Sequence, residues 1–294
     1  MDRDVTEALE TSIAETPALK QTGSDLRNLA TRLFLESPLR PLKNFLNGTW
    51  LEHPLHPVLT DVPVGAWTVA MALDALELAG VEGLGEATGI ATGLGTAAAL
   101  GAVTTGLMDY TDTTPPDSTV GFTHGLINTA ATLLFGLSFL WRWRDGWRTQ
   151  GKHVFLSSLG YMLITVGAYI GGSLVYRRGV MVNRNAYSSG PKDFVPVLAV
   201  EELAPNHLKR VDVDDQPVLL VKQGDRIWAI GAVCSHLGGP LEKGRLVDGC
   251  VECPWHYSLY RLEDGSYKQG PTTSPVPAYD TRINNGKIEV RLRQ

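Results

Sequence analysis

The sequence is short of cysteine, and the few cysteines that it has are confined to one segment. Its 294 residues include three, all between Cys234 and Cys253, and an odd count does not imply a disulfide framework. Basic residues form no stripe and the net charge is −5, which argues against a nucleic-acid partner. The amino-terminal stretch Met1–Asp4 is acidic and no apolar run follows it, so we expect no secretory signal. Reduced cysteines and a missing export signal both favour a cytoplasmic location.

Charge is also scarce over a long central stretch, residues 58–176. It contains four apolar segments of the length that crosses a hydrocarbon core of about 30 Å. In chain order they are Val58–Gly80, Gly89–Met108, Val120–Trp141 and Val154–Tyr176. The first is the weakest because it carries three carboxylates, whereas the others contain no Asp, Glu, Lys or Arg. A soluble four-helix bundle is the alternative, and the charge-free segments argue against it. We therefore predict a four-helix membrane domain over residues 46–178.

The regions on either side differ from this stretch and from each other. Residues 1–45 are polar and partly helical, and their apolar stripe fits a helix on the membrane surface as well as a helix packed on its own protein. Residues 179–191 are expected to form a linker. In residues 192–294, short β-branched runs alternate with turn signals such as Asn285-Gly286, which is typical of antiparallel hairpins. The predicted fold is multidomain: a four-helix transmembrane bundle followed by a small antiparallel all-β domain.

The cysteine segment has the spacing of a metal site. Cys234-x-His236 is followed, after sixteen residues, by Cys253-x-x-His256. Two Cys/His pairs on tight loops can supply four ligands, and thiolates with imidazoles suit an iron–sulfur centre or zinc. In a C-x-H and C-x-x-H arrangement, the two cysteines can hold one iron and the two histidines the other, which is the ligand set of a Rieske centre.

This part of the chain, from about Pro196 to Leu292, resembles a Rieske domain. The strings CSHLGGPL and CPWH match the two cluster loops of that family. The resemblance implies a [2Fe–2S] cluster held by Cys234, His236, Cys253 and His256. The zinc alternative would use Cys250 with Cys253; we interpret Cys250 as a buried strand cysteine.

Two departures from relatives bear on the properties of the cluster. The Rieske proteins of cytochrome bc complexes have a disulfide between the loops, and the equivalent positions here are Gly239 and Trp255. Those proteins also carry a Ser and a Tyr two and four residues after the second His, where this chain has Ser258 and Tyr260. Hydroxyl groups near cluster sulfur stabilise the reduced state, so we predict that Ser258 and Tyr260 raise the potential. Tyr257 replaces the usual Gly and makes the hydroxyl geometry a point to check.

The central part resembles a bacterial family of small four-helix membrane domains that has no assigned function. The match rests on His-Pro-Leu-His-Pro from residue 53, on Asp61-Val62-Pro63 and on the segment 124–128. An up-and-down bundle collects one group of ionisable residues on the side where the Rieske part follows. The group consists of His53, His56, Asp61, Asp109 and His124. Ionisable residues near a span often mark function, so the group is a candidate quinone pocket or haem b site, with His56 and His124 as the haem ligands. The alternative is a set of interface histidines without further role.

The resemblance implies a membrane-anchored carrier of single electrons rather than an enzyme by itself. We expect a redox partner protein, a reductase or an oxygenase, to dock near His236 and His256. The alternative is a quinone-linked or haem-containing membrane oxidoreductase whose second site is the His56/His124 end of the bundle. Lys and Arg are slightly more numerous on the flanks that share a side with the amino terminus. By the positive-inside rule we expect a multi-pass protein of the cell membrane with its Rieske part in the cytoplasm.

Overall fold

A computed structural model describes residues 3–35 and 37–293, and the chain divides into two compact units. The membrane unit comprises residues 1–47 and 55–180, and the β unit comprises residues 48–54 and 181–294. Each unit has its own core. The predicted fold class is confirmed, because four long apolar helices precede an antiparallel all-β domain.

The membrane unit is entirely helical in its regular structure. Three shorter helices come first, with a π-helical turn at Thr31–Leu35 between the second and the third: α1 (Arg3–Glu15), α2 (Pro17–Ala30) and α3 (Arg40–Asn47). Four long helices follow: α4 (Leu55–Leu78), α5 (Gly85–Tyr110), α6 (Asp117–Arg144) and α7 (Gly151–Tyr176). These four are long and apolar enough to cross a membrane by length and composition. Each helix begins before its predicted segment, because its first residues include polar ones that hydropathy alone does not count. At the other end, α5 and α6 end later than predicted, α7 ends as predicted and α4 ends earlier, at Leu78.

The bundle pairs α4 with α5 and α6 with α7, and small residues allow the close packing. A Cβ at Gly95 would come 2.6 Å from the Trp67 ring, and one at Gly160 would come 3.0 Å from the Phe135 ring. The two rings stack with centroids 4.2 Å apart and planes 7° apart. Glycine is therefore required at both positions to seat the aromatic pair at the centre of the bundle.

Buried ion pairs hold both ends of this bundle. Arg142 Nη2 lies 2.6 Å from Asp74 Oδ2, and Lys43 Nζ lies 2.7 Å from Asp112 Oδ2, with all four side chains fully or almost fully buried. Arg142 lies just beyond the third predicted segment, which ends at Trp141, and it is part of the bundle because α6 extends to Arg144. Removing one partner of a buried pair leaves an uncompensated charge, so these pairs fix the helix register.

Up to residue 293, the last one described, the β unit has ten strands in two antiparallel sheets. The strands are β1 (Val195–Ala199), β2 (Lys209–Val213), β3 (Gln216–Gln223), β4 (Arg226–Gly231), β5 (Arg245–Val247), β6 (Cys250–Glu252), β7 (Leu259–Arg261), β8 (Tyr267–Gln269), β9 (Ala278–Asn284) and β10 (Lys287–Leu292). The larger sheet has the order β1-β10-β9-β4-β3-β2 and the smaller one β5-β6-β7-β8. The turn between β9 and β10 is Asn285-Gly286, and both residues have positive φ, as a two-residue hairpin requires.

Candidate metal centre

Two loops at the small sheet carry the four predicted ligands. The first follows β4 and closes on itself, because the Gly238 N–H donates to the Cys234 carbonyl and the Cys234 N–H to the Gly239 carbonyl, both at 2.9 Å. The second joins β6 to β7 and closes in the same way. There the Tyr257 N–H donates to the Cys253 carbonyl at 3.1 Å, and the Cys253 N–H donates to the Ser258 carbonyl at 2.8 Å. Each loop thus turns around its own cysteine.

The two loops bring like groups together. Cys234 and Cys253 are buried in one core cluster, with exposures of 2% and 1%. A hydrogen bond with Cys253 lowers the pKa of Cys234 to about 7 against the effect of burial, and the same contact with burial raises the pKa of Cys253. The imidazoles of His236 and His256 face each other at right angles, with ring centroids 5.2 Å apart. The thiols form one pair and the imidazoles another.

This arrangement fits a dinuclear iron–sulfur cluster. A Cβ at Gly239 would lie 2.7 Å from Cys253 Sγ, so only glycine leaves the space between the loops open. Gly238 has φ +84°, a conformation that favours glycine. Among residues 3–35 and 37–293, no three His, Cys, Asp or Glu side chains are grouped closely enough to hold a single metal ion. A Rieske cluster does not need three ligands grouped around one metal ion, since each of its irons takes two protein ligands.

A buried hydroxyl network lies behind Cys234. Tyr260 Oη is 3.1 Å from Cys234 Sγ and 2.9 Å from Ser235 Oγ, and it accepts the Ser235 N–H at 3.2 Å. Ser235 Oγ donates in turn to the Ser274 carbonyl at 2.6 Å and lies 2.8 Å from Thr272 Oγ1. Because the Tyr260 oxygen already accepts one proton from the backbone, its own proton points to Cys234 Sγ or to Ser235 Oγ. Ser235 and Thr272 are members of this site that the sequence did not reveal.

The residues after His256 keep this geometry despite the unusual Tyr257. Tyr257 has φ +64°, a left-handed conformation that costs roughly 1 kcal/mol or more for a residue other than glycine. Gln269 Nε2 donates to the Tyr257 carbonyl at 3.3 Å. Ser258 is buried and its Oγ accepts the Thr272 N–H at 3.2 Å. The chain therefore has a tyrosine at a position that requires a left-handed backbone conformation. The Tyr260 hydroxyl nevertheless lies within 3.1 Å of Cys234 Sγ.

Cys250 is separate from this centre. It lies in β6, opposite Val247 and Arg261 in the sheet register. Burial raises the pKa of its thiol, which disfavours the thiolate that a metal needs. These observations fit the interpretation of Cys250 as a buried strand cysteine.

The predicted group in the central part is only partly assembled. His56 and His124 meet with ring centroids 6.3 Å apart. Asp109 instead accepts a hydrogen bond from Asn47 Nδ2 at 2.7 Å, beside the buried Lys43–Asp112 pair. Asp61 is exposed on α4, and His53 is exposed within the β unit, in the segment 48–54. There the Tyr267 hydroxyl donates to the Thr49 carbonyl at 3.0 Å.

Comparison with known proteins identifies both parts of the chain. Residues 193–280 match the model of the Rieske [2Fe-2S] domain, and residues 52–184 match that of a family described as predicted membrane protein (DUF2231). The β unit is thus an iron–sulfur domain of the Rieske class. The chain belongs to the Rieske [2Fe–2S] family through this unit and carries the membrane family's domain ahead of it.

Individual relatives resemble the β unit. The anthranilate 1,2-dioxygenase ferredoxin subunit of Burkholderia cepacia is 34% identical over 97 residues, which are 33% of this chain and 90% of that protein. The cytochrome b6-f complex iron-sulfur subunit of Chlorobaculum tepidum is 33% identical over 79 residues, 27% of this chain and 42% of the relative. The chain thus spans less than half of that second protein. The solved ferredoxin of carbazole 1,9a-dioxygenase from Nocardioides aromaticivorans is 30% identical, with 34% of this chain and 98% of that chain covered at a TM-score of 0.33.

These findings establish the coarse role of the chain. It carries a [2Fe–2S] domain of the electron-transport type, and it carries helices of a membrane protein family.

Proposed function

We propose that the chain is a membrane-anchored one-electron carrier whose cluster is held by Cys234, Cys253, His236 and His256. The observation that supports this best is the pairing of two buried thiols and two facing imidazoles on loops that close on themselves. The thiols would bind one iron and the imidazoles the other. Once bound, the cluster supplies a site that accepts and releases a single electron.

The residues around the thiols set the affinity for that electron. Tyr260 Oη lies 3.1 Å from Cys234 Sγ, and a hydroxyl that donates to a ligand sulfur stabilises the more negative, reduced state. Ser258 is buried on the second loop, where its oxygen is anchored by the Thr272 N–H. We therefore propose a midpoint potential above that of Rieske domains without these hydroxyls, within the range of about −150 to +300 mV.

Electrons would enter and leave through the histidine side of the centre. Trp255 is 50% exposed and its ring lies 6.4 Å from that of His256. An exposed aromatic residue beside a redox ligand offers apolar contact area to a partner. We propose that a reductase or oxygenase docks on this tip, over Trp255 and His256.

The membrane unit would anchor the carrier as a multi-pass domain. Besides the four long helices, α2 and α3 present apolar side chains outward: Leu26, Leu29, Leu42 and Phe45. Arg27 Nη1 donates to the Thr113 carbonyl and the Tyr110 hydroxyl donates to the Gly23 carbonyl, which fix the other face of α2 on the bundle. An exposed apolar face on a fixed helix suits the membrane interface, so the interfacial interpretation of this segment is the better supported one.

Orientation follows from the Lys and Arg residues that stay accessible. Lys43 and Arg142 are buried in ion pairs and drop out of the comparison, one from each side of the membrane. Arg178 drops out for the same reason, because it pairs with Glu10 and Asp117. The amino-terminal side keeps Arg32, Arg40, Arg177 and Arg184, and the other side keeps Arg144, Arg148 and Lys152. The remaining bias supports a cytoplasmic β unit.

A quinone-linked oxidoreductase is the alternative function, with its second site at His56 and His124. It predicts that the purified protein oxidises a quinol analogue against an artificial acceptor and that His124→Ala abolishes this turnover. A plain carrier shows no such turnover.

The electron-carrier proposal is tested on the full chain in mild detergent. We expect dithionite to reduce the protein by one electron per chain, and a redox partner to reoxidise it. His256→Ala should abolish this exchange, whereas His207→Ala, a control at an exposed histidine of the same unit, should not. Equal behaviour of the two variants would contradict the proposal.

A further inference from the structure

The membrane unit consists of two helical hairpins of the same design, α4–α5 and α6–α7. Matching residues of α4 and α6 are 68 positions apart: His56 and His124, Trp67 and Phe135, Asp74 and Arg142. Matching residues of α5 and α7 are 65 positions apart: Gly95 and Gly160, Ala102 and Gly167, Gly106 and Gly171. The matches concern the residues that make the contacts of the bundle centre, so the two hairpins are related by a pseudo-twofold axis along the bundle.

Each hairpin holds its histidine in the same way. His56 Nδ1 lies 2.8 Å from the Ala102 carbonyl oxygen, and His124 Nδ1 lies 2.9 Å from the Gly167 carbonyl oxygen. A carbonyl can only accept, so each ring carries a proton on Nδ1. In the neutral imidazole the Nε2 lone pair is then left for another partner, which is the arrangement that metal-binding histidines use.

The opposing helix leaves room for each ring. A Cβ at Gly106 would come 2.9 Å from the His56 ring, and a Cβ at Gly171 would come 2.8 Å from the His124 ring. Asn128 Nδ2 donates to the His124 carbonyl at 2.8 Å and is nearly equidistant from the two ring nitrogens, at 3.2 and 3.4 Å. Of these three contacts, the one to the carbonyl is the shortest, so Asn128 is held mainly by the backbone of α6.

Three pairs of matching residues lie along the axis, and in two of them the two side chains interact directly with each other. Trp67 stacks on Phe135, and Asp74 pairs with Arg142 at 2.6 Å. In the third pair the rings of His56 and His124 stand at 89° with centroids 6.3 Å apart. Two imidazoles whose Nδ1 protons are both committed present two acceptors, which cannot hydrogen-bond to each other. This pair calls for a ligand that takes two lone pairs.

We propose that His56 and His124 are the axial ligands of an iron tetrapyrrole, a b-type haem between the two hairpins. A bare transition-metal ion needs about four protein ligands, whereas a tetrapyrrole supplies four nitrogens and needs two. Two metal–nitrogen bonds of about 2 Å each and the two ring radii add up to about 6 Å between ring centroids, close to the 6.3 Å in the structure.

This site goes beyond the electron-carrier function, which stands on the β unit alone. The test compares the full chain with His56→Gln and His124→Gln, purified in mild detergent from cells that make haem in excess. Glutamine can still donate to the Ala102 or Gly167 carbonyl but does not ligate the iron. His53→Gln is the matched control, because His53 is exposed.

We expect a pyridine haemochrome assay to find about one haem per chain in the wild type and in His53→Gln, and at least a tenfold loss in the other two variants. His124→Met should keep the haem with a shifted spectrum, because a thioether also ligates haem iron; a merely structural histidine would produce no such shift. The iron–sulfur signal per chain, recorded on the same samples, should be unchanged, which shows that the β unit is intact. Circular dichroism of each variant should match the wild type, which shows that the helical membrane unit is folded.

Three results would overturn the proposal: no haem in the wild type after incubation with hemin, haem retained in both glutamine variants, or copper in place of haem in a metal analysis. None of these touches the iron–sulfur signal. Conversely, a haem without an iron–sulfur signal would contradict the proposed carrier function and leave this site standing.

Discussion

Each unit of the chain brings two histidine rings together at a right angle, and the two pairs are built differently. His236 and His256 lie 5.2 Å apart on two short loops that also carry the buried thiols. His56 and His124 lie 6.3 Å apart on two long helices, each tied by Nδ1 to a backbone carbonyl. The loops supply a mixed set of sulfur and nitrogen donors, whereas the helices supply nitrogen alone.

The difference shows what each scaffold contributes to a redox site. A loop that turns around a thiol places sulfur and imidazole within a few residues, so the ligand set of an entire cluster fits in one short segment. A helix offers one side chain per turn to any given neighbour, so a helical site has to be completed by another helix. The α4–α5 and α6–α7 hairpins achieve this by repeating the same design around a pseudo-twofold axis.

The largest effect should come from removing a thiol. Cys253→Ser should abolish the iron–sulfur cluster, because a serine hydroxyl is a poor ligand for an iron that shares sulfide. Iron content and the low-temperature EPR spectrum after reduction measure the loss. Cys250→Ser is the matched control and should keep the cluster. Equal loss in both variants would contradict the interpretation of Cys250 as a strand cysteine outside the centre, and the haem content should change in neither.

The next effect concerns the polar pair at the far end of the helical repeat. Asp74→Ala should destabilise the membrane unit by about 3–5 kcal/mol, because it leaves Arg142 buried without its partner. Thermal unfolding in detergent measures this. Asp61→Ala, at an exposed carboxylate of the same helix, should have little effect. The double variant Asp74→Leu, Arg142→Met should recover much of the stability; failure to do so would mean that the pair does more than balance charge.

The hydroxyl behind Cys234 should produce a smaller, purely electronic effect. Tyr260→Phe should lower the midpoint potential by about 60–130 mV, the equivalent of one hydrogen bond to a charged group for a one-electron couple. A redox titration followed by EPR measures the shift. Tyr267→Phe removes a hydroxyl that bonds to the Thr49 carbonyl and should leave the potential unchanged. An unchanged potential in Ser258→Ala, Tyr260→Phe would refute the assigned tuning.

The smallest effect separates the acid responses of the two units. Glu10 fixes α1 to the end of α7 through Ser173 and Arg178, with Arg178 Nη2 at 2.8 Å. Burial opposes its ionisation, but the bonds from Ser173 and Arg178 prevail and lower the pKa of Glu10 from its ordinary value of 4.5. Because the folded-state pKa is depressed, the stabilisation is complete above about pH 4.5 and is lost as the pH falls further.

Limited proteolysis of α1 across pH 3 to 6 can follow this loss. We expect cleavage to increase in the wild type as the pH falls below the ordinary pKa of Glu10, 4.5. Glu10→Gln should be cleaved readily at every pH in this range. A pH response that persists in Glu10→Gln would assign it to another carboxylate.

The sequence predicted the β unit far better than the centre of the membrane unit. The four predicted ligands fall in two segments with a recognisable spacing, so the sequence alone was enough to propose them. Ser235 and Thr272 escaped notice because they are 37 residues apart and meet only through the loop packing. The pairing of Asp74 with Arg142 was not predicted, since hydropathy does not show that two charges 68 positions apart neutralise each other.

The helical repeat could have been found, and the signal was a spacing. His, an aromatic residue eleven positions later and a charged residue seven positions after that occur twice, from His56 and from His124. Eleven and seven residues are close to whole numbers of helical turns, so the three side chains lie on one face. A search for self-similarity would have paired the two helices; which residues actually meet required the fold, as the separation of Asp61 and Asp109 from the histidines shows.

Pulsed EPR on the dithionite-reduced full chain tests the central claim most directly. The account predicts a one-electron [2Fe–2S] signal with hyperfine coupling to two histidine nitrogens. The signal should be lost in His256→Ala and should keep both couplings in His207→Ala. A protein that contains zinc and no iron, or a cluster signal without nitrogen coupling, would contradict it.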